Sequence, residues 1–201
     1  MTSRRKVLAV IFDLDGTVLD NEDIYGEAFR EVLGLLGKKV AKKRPQEGGI
    51  GLEANWSKLL KEHHIKTDKT VEQLALMTQE AYIKRMGEVS VREGFSELVD
   101  DLKARGILVA LATSNHWGAV DKVFEKFGLN GVFDMVTTVE EVDAPKPDPA
   151  IFLVTAWKLG VEPEDCLVIE DAVSGILAAR AAGMKAISVG AKFSSGRSLS
   201  L

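Results

Sequence analysis

The feature that most constrains this chain is a short apolar run that ends abruptly in two carboxylates. Residues 7–12 read VLAVIF, and Asp13, Leu14, Asp15 and Gly16 follow directly. An apolar run without alternation is typical of a strand that is covered on both faces of a parallel sheet. This stretch therefore predicts a buried strand whose end carries polar, chemically useful groups.

Further apolar runs along the chain have the same character. ILVALAT begins at Ile107, CLVIE at Cys166 and KAISVG at Lys185, while VFDMVTT, from Val132, is a weaker candidate. Amphipathic helical patterns that stop at glycine lie between most of these runs. The alternation of strands and helices predicts an α/β fold built on a parallel sheet of buried strands.

The segment after the first strand breaks this alternation. It contains the amphipathic patterns EDIYGEAFREVLGLLG, EANWSKLLKEHH and TVEQLALMTQEAYIKRMG and no convincing strand. We interpret residues 20–90 as an inserted helical cap domain, and residues 1–19 and 91–201 as the α/β core domain. Hinges are expected near residues 17–21 and 89–94, and the polar tail SSGRSLSL is expected to be frayed.

Composition excludes several classes of function. The chain has 26 basic and 30 acidic residues, so no excess of positive charge favours nucleic acid as a partner. No stretch is long enough to span a membrane, and the first apolar run is too short for a signal peptide. The single cysteine excludes an internal disulfide and fits a reducing compartment. We expect a cytoplasmic protein, a monomer or weak homodimer, with no membrane partner.

The candidate chemical groups of the core all fall at one edge of the predicted sheet. In an open parallel sheet, ligands bind beyond the carboxyl ends of the strands. Each candidate follows one of the predicted strands: Asp13 and Asp15, then Thr113, Ser114 and Asn115, then Lys146 between two prolines, then Glu170 and Asp171. This shared edge is the strongest purely physical signal of a functional site.

The residue types at this edge suit a phosphate ester and a metal ion. Several carboxylates would repel each other unless a cation lay among them, and oxygen ligands without histidine or cysteine favour Mg²⁺. Lys146, the hydroxyls of Thr113 and Ser114, and a helix N-terminus near His116 would add donors for phosphate. An aspartate in such a site can act as nucleophile, and a second carboxylate can act as acid and base.

Each signal taken alone also has a purely structural explanation. Aspartates at a strand end often only form turns, and the acidic pair Glu170 and Asp171 could simply favour the start of a helix. A lysine between prolines usually lies in a surface loop, and the sequence TSN after a strand is more often a helix cap. The order of the motifs and their common edge favour the functional interpretation.

Four motifs, DLDGT, ATSN, KPDP and VIEDAVSGILAARAAGM, in this order resemble those of the haloacid dehalogenase-like superfamily. The resemblance covers nearly the whole chain. It implies a doubly wound, Rossmann-like α/β core, and the inserted helices resemble the helical-cap subfamily, which includes phosphoglycolate phosphatases and β-phosphoglucomutases.

The resemblance also implies a role for each acidic residue. Asp13 matches the nucleophile and a Mg²⁺ ligand of the family. Asp15 matches the general acid and base, and its backbone carbonyl matches another metal ligand. Glu170 and Asp171 match the acidic pair that holds the metal.

The other motif residues match groups that bind the phosphate. Thr113 matches the phosphate-binding hydroxyl, and Ser114 and Asn115, which follow it, are expected to contact the phosphate as well. Lys146 matches the lysine that neutralises the phosphate and the nucleophile.

The resulting prediction is a Mg²⁺-dependent phosphatase that hydrolyses small phosphorylated metabolites through an aspartyl-phosphate. The alternative is a sugar-phosphate mutase, but mutases of this group carry a histidine and an arginine where this chain has Tyr25 and Leu52. True dehalogenases need no metal and lack the second aspartate of the first motif, so Asp15 argues against that chemistry. A non-catalytic binding protein with the same fold is a third hypothesis, which the complete motif set disfavours.

Overall fold

A computed structural model describes residues 6–189 of the chain. The tail SSGRSLSL and the rest of the core domain beyond residue 189 lie outside the described residues. The strands are β1 (Ala9–Phe12), β2 (Leu19–Asp20), β3 (Ser90–Val91), β4 (Leu108–Ala112), β5 (Met135–Thr137), β6 (Cys166–Glu170) and β7 (Lys185–Ser188). The helices are α1 (Glu22–Leu35), α2 (Leu52–Glu62), α3 (Val71–Lys84), α4 (Phe95–Ala104), α5 (Trp117–Phe127), α6 (Ala150–Leu159) and α7 (Val173–Ala181).

Five strands form one parallel sheet in the order β5–β4–β1–β6–β7. The first strand, β1, pairs with β4 on one side and with β6 on the other, so the chain winds outward from β1 in both directions. The predicted doubly wound α/β sheet is therefore confirmed. Each of the predicted apolar runs, including the weaker candidate that became β5, supplies a strand of this sheet.

Helices cover both faces of the sheet, which explains why its central strands are apolar without alternation. In β1, Val10 and Phe12 belong to a hydrophobic cluster with side chains of α4 and α5. Ala9 and Ile11 point the other way and belong to a second cluster with side chains of α6 and α7. A fully buried side chain of this kind contributes roughly 1.5–3 kcal/mol, so the strand is firmly anchored at both faces.

One expectation about the sheet is wrong. The run that begins at Lys185 was predicted to be a strand covered on both faces, but in β7 only Ala186 is half-buried and the other side chains are exposed. The reason is position, because β7 lies at the edge of the described sheet and pairs only with β6 there. A short apolar run does not distinguish an edge strand from a central one.

The helices between β2 and β3 enclose a hydrophobic cluster of their own. Phe29 and Leu33 from α1 pack there with Trp56 from α2 and Leu74 from α3. Trp56 is fully buried, and its indole N–H donates to Thr78 Oγ1 at 2.8 Å. Within residues 6–189, none of the helices combines the length and the apolar character that crossing a bilayer requires. The boundaries of the core and cap domains at residues 20 and 90 stay a prediction.

The chain leaves the sheet for the inserted helices through β2 and returns through β3, and these two strands pair as a small antiparallel ribbon. The sequence analysis did not predict this ribbon. Leu19 of β2 pairs with Val91 of β3. The next residue, Arg92, donates from Nε to the carbonyl of Thr17 at 2.9 Å and from its guanidinium to the carbonyl of Gly16. Arg92 thereby fixes the loop that follows β1, where the first motif lies.

Candidate active site

The carboxyl ends of β1 and β6 and the loop between β5 and α6 bring three ionisable side chains together in the interior. The Lys146 ammonium lies 2.6 Å from Asp13 Oδ1 and 2.9 Å from Glu170 Oε1. It also lies 3.4 Å from the carbonyl oxygen of Ala112, at the end of β4. Lys146 is only 2% exposed, so its position between two prolines is not that of a surface loop. The structure thus places two buried carboxylates against one ammonium.

A third carboxylate makes this group suitable for a metal ion. Asp13, Glu170 and Asp171 each offer an oxygen, and these oxygens lie within 4.8 Å of one another. Burial, opposed by Lys146 and reinforced by the two other carboxylates, holds the pKa of Asp13 well above its usual value. Burial and the charge of Glu170 likewise raise the pKa of Asp171 to about 6. The group carries more negative charge than Lys146 balances, so its all-oxygen donor set fits a hard divalent cation.

Two glycines make room for these carboxylates. Gly16 has a φ of +77°, and a Cβ there would lie 2.1 Å from Asp171 Oδ2. A Cβ at Gly175 would lie 1.7 Å from Glu170 Oε1, while the other oxygen of Glu170 accepts from the N–H of Ala172 at 2.6 Å. Any side chain at either glycine would displace a carboxylate, so both glycines are requirements of the site.

The carboxylate of Asp15 is held by two asparagine side chains. It accepts from Asn21 Nδ2 at 2.5 Å and from Asn115 Nδ2 at 2.6 Å. Burial raises the pKa of Asp15 although these bonds and the charge of Lys146 oppose the shift. The side chain of Asp15 is therefore oriented by amide donors and stands apart from the three clustered carboxylates.

The three predicted phosphate-binding residues after β4 have different placements. Thr113 is buried, and its Oγ1 accepts from the N–H of Asn115 at 3.2 Å. Ser114 Oγ donates to the carbonyl of Gly49 at 2.7 Å, and the amide of Asn115 binds Asp15. All three line the same small cavity as Asp15. Ser114 thus also connects the core to a loop of the inserted helices.

That loop, residues 46–51, closes the small cavity, and we call it the cap loop. From the core side, Ser174 Oγ donates to the carbonyl of Gly48 at 2.9 Å. From the helical side, Asn55 Oδ1 accepts from the N–H of Glu47 at 2.7 Å, and Asn55 Nδ2 donates to the Glu47 carbonyl at 2.9 Å. The cap loop is therefore fixed by side chains from both neighbouring parts of the molecule.

Among the polar residues of this cavity that the sequence analysis missed, Glu22 and Gln46 contact each other. Glu22 begins α1, and Gln46 Nε2 donates to the Glu22 carbonyl at 3.0 Å and to Glu22 Oε2 at 3.4 Å. Burial, followed by the charges of Asp171 and Asp15, raises the pKa of Glu22 to about 7. In the sequence, Glu22 looks like an ordinary acidic residue of a first helical turn, and Gln46 belongs to no periodic pattern.

The small cavity has a volume of about 50 Å³ and contains Asp13, Asp15 and the cap loop in its wall. A second cavity of about 740 Å³ lies beside it, between α2, α3 and α5. The two cavities share Gly51, Leu52 and Ser114 among their lining residues. Asp13 and Asp15 line only the small one.

Comparison with known proteins agrees with this geometry. A family model described as haloacid dehalogenase-like hydrolase matches residues 10–189. Hexitol phosphatase B of Escherichia coli K12 is 30% identical over 195 residues, which cover 94% of this chain and 86% of that protein. Fructose-1-phosphate phosphatase YqaB of the same strain is 31% identical over 188 residues, which cover 90% of this chain and 95% of that protein. The solved structure of β-phosphoglucomutase from Clostridium difficile superposes with a TM-score of 0.82 at 27% identity, covering 92% of this chain and 85% of that one.

Proposed function

We propose that this chain, which belongs to the haloacid dehalogenase-like hydrolase family, is a Mg²⁺-dependent phosphatase that hydrolyses small phosphorylated carbohydrates. The observation that carries the proposal is the contact of Asp13 Oδ1 with the Lys146 ammonium at 2.6 Å, within a buried group of three carboxylates. The relatives named for hexitol and for fructose 1-phosphate support a carbohydrate as the leaving group.

In the proposed reaction, Asp13 attacks phosphorus in line with the departing oxygen and becomes an aspartyl-phosphate. Asp15, whose raised pKa favours the protonated form, gives its proton to the leaving oxygen. It then removes a proton from the water that cleaves the aspartyl-phosphate. Asn21 and Asn115 orient the Asp15 carboxylate throughout these proton transfers.

Charge is balanced by groups already at the site. Asp13, Glu170 and Asp171, together with the backbone carbonyl of Asp15, would hold Mg²⁺, which when bound supplies positive charge to the phosphoryl oxygens. The charge of Lys146 favours the ionised form of the nucleophile, against the effect of burial, and neutralises the phosphoryl group.

Three residues after β4 would contact the phosphate. Thr113 Oγ1 accepts from the N–H of Asn115, so the hydroxyl proton of Thr113 is available to a phosphate oxygen. Ser114 and Asn115 line the same cavity and supply further donors.

The proposed domain division gives the cap a role in exchange of substrate and product. Residues 20–90 would move as a cap against the core of residues 1–19 and 91–201. Opening would break the bonds from Ser114 to Gly49 and from Ser174 to Gly48. Closure excludes water from the aspartyl-phosphate until the product has left. We place this enzyme in the cytoplasm, a proposal that fractionation of cells and immunodetection would test.

A phosphomutase is the second candidate, supported by the similarity to a solved β-phosphoglucomutase. A mutase must bind a second phosphate far from the nucleophile, which requires cations in the cap. Tyr25 is buried and stacked on Tyr82 with ring centroids 4.0 Å apart. Among the described residues that line the two cavities, no Lys, Arg or His comes from residues 20–90, and the basic residues of the larger cavity, His116 and Lys122, belong to the core. These observations favour hydrolysis.

Release of inorganic phosphate tests the proposal. Purified protein would be incubated with hexitol phosphates, fructose 1-phosphate, phosphoglycolate and p-nitrophenyl phosphate. We expect release from the carbohydrate esters with Mg²⁺, its loss with EDTA and its recovery when excess Mg²⁺ is restored. A product with a relocated phosphate would show a mutase, and no turnover of any ester would contradict both functions.

A further inference from the structure

The amide of Gln46 contains a buried acceptor without a partner. Gln46 is 8% exposed, and its Oε1 has no hydrogen-bond partner among residues 6–189. The orientation of the amide is fixed, because Nε2 faces the carbonyl oxygen and a carboxyl oxygen of Glu22, which are both acceptors. A buried polar group left without a partner costs about 1–3 kcal/mol, so a ligand that donates to Oε1 would remove a penalty present in the free protein.

The position of Gln46 indicates which ligand would donate this hydrogen bond. Gln46 and Glu22 line the small cavity together with Asp13 and Asp15, so they face the group attached to the reacting phosphate. Gln46 presents an acceptor at its unpartnered Oε1, and an acceptor is satisfied by a hydroxyl group of the substrate.

The charge of this cavity wall argues against an anionic leaving group. Its acidic side chains are Asp13, Asp15, Glu22 and Glu47, and the described lining residues include no basic one. Arg44, whose charge acts on Glu22, is bound to Asp23 at 2.6 Å. A carboxylate or second phosphate on the leaving group would therefore lie among these acidic side chains, while Lys146 already pairs with Asp13 beside the reacting phosphate.

We propose that Gln46, with Glu22 beside it, determines specificity by accepting hydrogen bonds from hydroxyl groups of an uncharged, polyhydroxylated leaving group. This inference rests on the proposed phosphatase function and deepens it. Gln46 Oε1 takes a substrate hydroxyl as its donor, and the acidic wall rejects esters that carry a second anionic group.

The competing hypothesis is that the leaving group binds in the larger neighbouring cavity. Ile50, Leu52, Leu76 and Ile83 contribute apolar side chains to its wall. If leaving groups entered that cavity, apolar esters would be favoured and Gln46 would have no influence on the choice.

A pair of substrates that differ only in hydroxyl groups separates these arrangements. We would measure kcat/KM for a hexitol 6-phosphate and for n-hexyl phosphate with the unchanged protein, with Gln46→Leu and with Gln73→Leu. Gln73 is an exposed glutamine of the α3 capping box and lines neither cavity, so it controls for the same chemical change elsewhere in the cap. Gln46→Leu should lower kcat/KM for the hexitol ester about tenfold and leave that for the hexyl ester within about twofold.

The outcomes distinguish the inference from the function on which it rests. If the unchanged protein releases phosphate from both esters without preferring the hexitol ester, or if Gln46→Leu keeps the original preference, the specificity assignment is wrong and the phosphatase proposal stands. If the unchanged protein releases phosphate from no ester, both proposals fail. The comparison of the two esters, extended to phosphoglycolate as an anionic competitor, needs no variant and can overturn the inference even if Gln46→Leu does not fold.

Discussion

Two regions meet at the small cavity and are built by different means. We define the catalytic edge as Asp13, Lys146, Glu170 and Asp171. Its carboxylates lie at the ends of β1 and β6, which are hydrogen-bonded on both sides and buried on both faces, and Lys146 reaches them from the loop between β5 and α6. The cap loop, residues 46–51, belongs to no strand or helix and is held by individual side-chain hydrogen bonds. The proposed nucleophile and its acidic partners thus lie at the ends of central strands, and Gln46, which we propose selects the leaving group, lies on a loop.

The difference also separates two kinds of electrostatic environment. At the catalytic edge, a buried cation is shared by Asp13 and Glu170, so removing one charge leaves others uncompensated. At the cap loop, the ion pair of Lys58 with Glu47 is half-exposed, and solvent screens it. Changes at the catalytic edge should therefore have large effects on turnover and stability, and changes at the cap loop should act mainly on substrate choice.

The largest effect is expected from Asp13→Asn, which replaces the nucleophilic oxygen and keeps the shape of the side chain. Turnover of the best ester should fall by at least about 10³-fold because no other group can form the covalent intermediate. Steady-state phosphate release measures this, and circular dichroism checks that the fold survives. Asp100→Asn, at an exposed position of α4, is the matched control and should keep full activity.

Lys146→Met tests the buried charge balance. The substitution leaves Asp13 and Glu170 without their common cation, so the free energy of unfolding should fall by about 3–5 kcal/mol, together with activity. Urea unfolding measures the change. Lys58→Met, which removes an exposed lysine that also pairs with a carboxylate, should have a far smaller effect. Equal losses in the two variants would remove the distinction between the two regions.

The dependence of stability on pH without metal gives a smaller but specific signature. Folding raises the pKa of Asp171 from 3.8 to about 6 and that of Glu22 from 4.5 to about 7. The folded state therefore binds more protons than the unfolded chain between these values, and stability should fall as pH rises from about 4 to about 7. Thermal unfolding in EDTA measures this, and excess Mg²⁺ should reverse the loss at neutral pH. A melting temperature that rises with pH in EDTA would contradict the prediction.

The smallest effect is expected from Ser174→Ala, which removes the donor that binds the Gly48 carbonyl. One lost hydrogen bond should cost about 1 kcal/mol or less of stability and should raise KM severalfold while kcat changes little. Kinetics with a hexitol phosphate would measure it. A fall in kcat as large as that of Asp13→Asn would show that the cap loop takes part in the chemistry.

The sequence predicted where the acidic members of the catalytic edge lie because each of them follows the end of a strand directly, whereas Lys146 lies nine residues beyond β5. The buried run before Asp13 predicted both the strand and the place where it stops, and parallel strands necessarily bring their ends to one edge. The predicted family, the α/β fold and the enzyme class, a phosphoric monoester hydrolase, are confirmed. The roles of the individual residues and the identity of the metal stay predictions.

Three features could not be predicted from the sequence for physical reasons: the contact of Gln46 with Glu22, the β2–β3 ribbon and the exposure of β7. The contact of Gln46 with Glu22 joins residues 24 positions apart, and no periodic pattern links them. The β2–β3 ribbon has only two residues in each strand, which is shorter than any pattern that alternation can reveal. The exposure of β7 depends on its place at the edge of the described sheet. The residues of a strand do not by themselves show whether the strand lies at the centre or at the edge of a sheet.

The central claim is that Asp13 forms a covalent bond to phosphorus, and acid quenching tests it most directly. Protein mixed with Mg²⁺ and excess hexitol phosphate would be quenched in acid within one turnover, digested and examined by mass spectrometry. We predict one added phosphoryl group on the peptide that contains Asp13, and none in Asp13→Asn. Continued phosphate release by the unchanged protein, with no phosphoryl group on that peptide at any quench time, would contradict the account.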